Sequence, residues 1–192
     1  KEFHHWVGYI DEGTTPSGTV IPLDSKIVDD KNLIYDAHGN SLDVKGTITA
    51  TAAISTTGNI VVGGVANVTE VTSSGGAISV TGNATASGTI SARGNITFGG
   101  NADVAGVTST SGVISFDGDA KASGAISADG DITFDGNADV AGVTSTNGAI
   151  SVTGDATASG VISADGDITF GGNADVAEVT STSGEISFTG DA

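Results

Sequence analysis

Over residues 40–192, apolar and polar positions recur on a six-residue grid. Numbered from Asn40, glycine heads 22 of the 26 hexads, and Asn40, Ala52, Glu70 and Glu178 head the others. Every isoleucine from Ile48 to Ile186 falls at position three, and Phe98, Phe116, Phe134, Phe170 and Phe188 fall at position five. Of the 19 charged residues in this region, 17 occupy positions two, four or six. A period of two marks a strand with one buried and one wet face. Six is even, so the alternation survives each corner and predicts odd positions inside, even positions outside, along the whole repeat. The predicted core includes Ile96, Phe98, Ile132, Phe134, Ile168 and Phe170.

Glycine at position one predicts a corner, through positive φ or close backbone approach. Gly94, Gly130 and Gly166 exemplify it. A short strand plus a corner gives one side of a triangular prism, and three hexads close an 18-residue turn. Regular glycine and abundant Ile, Val and Thr are poor helix material. A longer period is superimposed: residues 94–129 and 130–165 are identical at 28 of 36 positions. The expected fold is therefore all-β, an elongated triangular β-helix. Two architectures satisfy the pattern: one chain coiled on itself, or three chains intertwined. The 18-residue rhythm favours the first, since Asp103, Lys121 and Asp139 would then stack in one column. A slender core of small residues and the lack of a cap after Ala192 favour the second. The intertwined homotrimer is preferred, with a stem expected to continue beyond Ala192.

Residues 1–39 read as a separate segment. They hold the only Trp, both Tyr, both Pro and all three His of the chain. Phe3, His4, Trp6 and Tyr9 are candidates for docking on a partner or capping the first coil, because aromatics concentrated in one segment typify interface anchors. Adjacent His4 and His5 on a strand would face opposite ways, a poor chelate, so no metal site is assigned.

Composition narrows the chemistry. The net charge of −17 disfavours nucleic acid and anionic membrane as partners. Without cysteine there is no disulfide or thiolate metal site. No Ser/His/Asp set can be argued, the glycines lack the Lys-Ser/Thr of a phosphate loop, and no cofactor or enzymatic activity is expected. Asp-Gly-Asp runs such as Asp129 to Asp131 read as solvated faces, since the calcium-roll repeat has a nine-residue period. Thr108-Ser109-Thr110 resembles the threonine arrays of ice-binding solenoids, but strict alternation turns both threonines inward.

The hexads GNITFG, GTISAR, GDATAS and GVISAD resemble the stem repeats of bacteriophage tail fibres and related virion fibres. Low-complexity β-rods of bacterial surface adhesins look similar, so an adhesin stalk, or a self-polymerising single-chain β-helix filament, is the alternative. The resemblance, covering residues 40–192, implies a homotrimeric stem on the virion surface that projects a distal host-binding tip. Residues 1–39 would then attach to another virion protein.

Overall fold

The structure, a computed structural model, describes residues 26–27, 33–36, 41–44 and 46–191. They form a parallel β-solenoid, with no helix among the described residues. Each turn contributes one short and one long strand. The short strands are β3 (Ser41–Val44), β5 (Ile60–Val62), β7 (Ile78–Val80), β9 (Ile96–Phe98), β11 (Ile114–Phe116), β13 (Ile132–Phe134), β15 (Ile150–Val152), β17 (Ile168–Phe170) and β19 (Ile186–Phe188). The long strands are β4 (Ile48–Thr56), β6 (Ala66–Ser73), β8 (Ala84–Ala92), β10 (Ala102–Ser109), β12 (Ala120–Ala128), β14 (Ala138–Ser145), β16 (Ala156–Ala164) and β18 (Ala174–Ser181). Short strands stack into one sheet and long strands into another, each turn pairing in parallel with the turns before and after it. At the start, β1 (Lys26–Ile27) and β2 (Leu33–Asp36) pair antiparallel with β4 and β3.

Along the short strands the core is a column of like residues stacked turn on turn. Ile114 pairs with Ile96 and Ile132, and Phe116 with Phe98 and Phe134. The rings of Phe98, Phe116 and Phe134 stack at centroid distances of 4.9 Å, close to the spacing of adjacent strands. Phe170 and Phe188 repeat the contact at 5.0 Å. Ile96, Phe98, Ile132, Phe134, Ile168 and Phe170 are all 0% exposed. Full burial of each such side chain contributes roughly 1.5–3 kcal/mol.

The three hexads of a turn do not give three like faces. The glycine heading the third hexad, such as Gly106 or Gly124, lies inside a long strand and not between strands. There the ladder shifts register: Val104 pairs with Ala122, but Val107 pairs with Ile126. Three residues, Ser123 to Ala125, stand opposite two, Ala105 and Gly106. This two-against-three mismatch is a β-bulge. Long strands accordingly alternate in length: β4, β8, β12 and β16 have nine residues, and β6, β10, β14 and β18 have eight. The first set makes bulged turns, the second plain turns.

The bulge corrects the strict inside-outside rule. In the third hexad of bulged turns, positions three and five point inward, as with Ile126 and Ala128. In plain turns the parity flips, and positions two and four are buried: Val71 and Ser73, Val107 and Ser109, Val143 and Ser145. Position three then faces out, so Thr108 is half-buried and Thr144 exposed, and Thr110 and Thr146 are exposed as well. The inward placement expected for Thr108 and Thr110 is thereby overturned. Glu70 and Glu178, the two charges that broke the odd-even rule, both head flipped hexads and are exposed.

Candidate functional site

The repeated chemistry of the described residues lies at the corners between turns. The glycines there are required by close approach, since none of those described below sits at positive φ. A Cβ on Gly100 would lie 2.5 Å from Asn83 Oδ1, and one on Gly136 would lie 2.7 Å from the Gly118 carbonyl carbon. The corner glycines Gly94 and Gly166 would bring a Cβ to 3.1 Å from the carbonyl oxygens of Gly76 and Gly148, and Gly130 to 3.1 Å from Val113 Cγ1. Positive φ, one of the two roles expected for these glycines, is therefore not used; a side chain would collide with the preceding turn at Gly100 and Gly136, and would crowd it more mildly at Gly94, Gly130 and Gly166.

Beside these corners runs a ladder of asparagine and aspartate side chains, one of which, Asn83, fills the space next to Gly100. Asn83 Oδ1 accepts the N–H of Asn101 at 3.0 Å, Asn101 that of Asp119 at 3.0 Å, and Asp119 that of Asn137 at 2.9 Å. Asn137, Asp155 and Asn173 continue it to Asp155, Asn173 and Asp191, at 2.9, 2.8 and 3.3 Å. Either an amide or a carboxylate oxygen suffices, because only an acceptor is needed. At the other corner the ladder is intermittent. Asn59, Asn95, Asp131 and Asp167, all following bulged turns, accept the N–H groups of Ala77, Val113, Ala149 and Glu185.

Serine completes this second corner. After a bulged turn, the corner glycine donates straight to the glycine carbonyl one turn earlier, as Gly130 does to Gly112 at 3.0 Å. After a plain turn the corner is one residue longer, and a buried serine hydroxyl bridges the gap. Gly148 N–H donates to Ser145 Oγ at 3.0 Å, and Ser145 Oγ–H donates to the Gly130 carbonyl at 2.9 Å. Ser73, Ser109 and Ser181 make the same two contacts. Each of these hydroxyls thus satisfies two backbone groups, as burial demands for Ser73, Ser109 and Ser145; Ser181 is half-buried. These serines escaped the sequence reading because strict alternation put them outside; valine one position after the hexad head, every 36 residues, was the signal that could have found them.

The outer surface is uneven in charge. Between residues 46 and 99, Glu70 and Arg93 are the only charged side chains, whereas between 100 and 191 fourteen carboxylates face a single Lys121. Asp103, Lys121 and Asp139 occupy paired register positions on β10, β12 and β14. Two shallow grooves, of about 480 and 410 Å³, run along this face and share Lys121 and Asp139. The larger is also lined by Asp175 and by small residues such as Ser123, Ala141, Thr157 and Ser159. Among the described residues no group of three or more His, Asp or Glu is placed to hold a metal. No helix among them is long and apolar enough to cross a membrane. The docking or cap candidates Phe3, His4, Trp6 and Tyr9 lie outside the described residues.

No protein-family model, no curated protein and no solved structure matches this chain.

Proposed function

We propose that the chain is a structural stem, the projecting rod of a virion fibre of the bacteriophage tail-fibre kind, without catalytic activity or cofactor. Residues 1–39 are the attaching segment, and residues 40–192 the spacer that carries a host-binding tip away from the particle. The observation that carries this reading is the uninterrupted coil. Eight long strands stack in parallel, each pair realigned past its bulge, with the core shared between successive turns and the corner backbones hydrogen-bonded from turn to turn. Such an object resists bending and offers length; at roughly 4.8 Å per layer, eight turns rise about 40 Å. Excess carboxylate on its outer surface keeps neighbouring rods apart.

The manner of assembly belongs to the same proposal. In an intertwined homotrimer, the residue stacked above any position would come from another chain, six places along. Phe116 would then stack on Thr110 and Ala122, whereas a self-closed coil stacks it on Phe98 and Phe134. The Phe column, the Asx ladder and the serine relay are matched at a full turn, which supports a coil closed within each chain. Light scattering behind a sizing column tests this. A mass near 18.6 kDa supports the self-closed coil, and three times that mass supports the trimer.

The fibre assignment is tested by location. Gold-labelled antibodies to residues 40–192, applied to cultures that express the gene, are expected to decorate virion appendages. Label confined to the cell envelope would overturn the fibre reading in favour of an adhesin stalk.

A further inference from the structure

Asn147-Gly148 is the one Asn-Gly step in the sequence. Every other asparagine between residues 46 and 191 precedes Ala, Val or Ile, whose side chains crowd the following backbone nitrogen. Gly148 has no such shield. The intrinsic chemistry of the step is loss of the side-chain amide. The Gly148 nitrogen, having given up its proton, attacks Asn147 Cγ. The N–Cγ bond forms, the Cγ–Nδ2 bond breaks, and the amide nitrogen leaves as ammonia. Water then opens the cyclic imide at either carbonyl, giving aspartate or isoaspartate.

The fold restrains each participant in that reaction. Gly148 is buried, and its N–H is donated to Ser145 Oγ at 3.0 Å. Asn147 N–H is donated to the Asp129 carbonyl at 2.8 Å. The departing amide is itself engaged, Asn147 Nδ2 donating to Asp129 Oδ1 at 2.5 Å. The attacking nitrogen, the backbone around Cγ and the leaving group are thus all fixed by the preceding turn and the serine relay. The equivalent corners carry Gly75, Ser111 and Ser183, none of which has an amide to lose.

We propose that Asn147 is a gated deamidation site, shut while Ser145 and Asp129 hold this corner and open once the turn loosens. The change reinforces itself. The new carboxylate lies against Asp129, where an amide donor had been, and replaces an attraction with a like-charge contact. An isoaspartate would also lengthen the backbone at a corner whose hydrogen bonds are matched turn to turn.

The test compares Asn147 deamidation in the folded chain and in urea at the same mildly alkaline pH, read by peptide mass spectrometry. The folded rate is expected to fall at least about tenfold below the urea rate, since reaction must wait for local opening. Equal rates would overturn the proposal. Ser145→Ala and, separately, Asp129→Ala are expected to raise the folded rate several-fold. The second keeps the buried serine and so serves if the first fails to fold. A folded variant of either kind reacting no faster than the parent would also overturn it. Asn147→Asp is expected to melt below the parent and to recover in the Asp129→Ala background; no recovery would refute the self-reinforcing step.

Discussion

Adjacent turns of this coil contain the same number of residues and place one of them differently. In a bulged turn such as β12, the extra residue sits in the long strand, beside Gly124, and the following corner from Asp129 to Asp131 is short. In a plain turn such as β14, the strand is one residue shorter and the corner from Thr146 to Ala149 one longer. The difference changes which atoms close the turn: glycine donates directly to glycine after a bulge, and through serine after a plain strand. It also explains why the sequence repeats closely at 36 residues and less so at 18. The repeating physical unit is a pair of unlike turns.

The largest effect should come from a charge placed on each side of the flipped hexad. Val143 is 1% exposed, and Thr144 is exposed. Val143→Asp is expected to cost about 4 kcal/mol or more, from an unpaired charge in the core, while Thr144→Asp stays within about 0.5 kcal/mol. Urea melts of the two variants check this, and the reverse order would restore strict alternation.

Deleting turns separates the pair from the single turn. Removing residues 94–129 takes out a pair and leaves bulged and plain strands alternating. Removing only residues 94–111 sets β8 beside β12, two bulges in contact. The shorter deletion is expected to melt at the lower temperature although it removes less core. If it melts higher, turn length alone governs stacking.

Glycine at the two hexad heads gives a smaller contrast. A Cβ on Gly124 would lie 2.5 Å from the Ala105 carbonyl oxygen, whereas one on Gly142 would lie 3.1 Å from that of Val161. Gly124→Ala is expected to cost about 2 kcal/mol, through forced movement of packed backbone. Gly142→Ala is expected near zero by calorimetry. Glu70 and Glu178 already fill the plain-turn site, so equal costs would refute the crowding account. Smallest of all, Asn137→Ala breaks one rung of the Asx ladder, leaves the Asp155 N–H without its acceptor, and should cost about 1 kcal/mol.

What could be read from sequence followed side-chain size. Ile96 and Phe98 announce a buried face because nothing else on the grid is as bulky. The flip was written there too, in Val107 at position two, Thr108 at position three and the acidic hexad heads Glu70 and Glu178. A uniform odd-even rule averaged it away. The valine before it could have shown that Ser145 is buried, but its role was not legible, because its partners, Gly130 and Gly148, become neighbours only once the turns stack. The Asx side chains read correctly as polar and outward; that each accepts an N–H one turn ahead depends on a register no single hexad encodes. The glycine corners were visible as positions but not as cause, since close approach and positive φ demand the same residue.

The most direct test of the self-closed coil exploits the absence of cysteine. Ser115 and Thr133 are register partners on the outer face of β11 and β13. With both replaced by cysteine, mild oxidation or a short thiol cross-linker should join them within one chain, leaving the mass on a denaturing gel that of a single chain. Cross-links found only between chains, or none at all, would contradict the account.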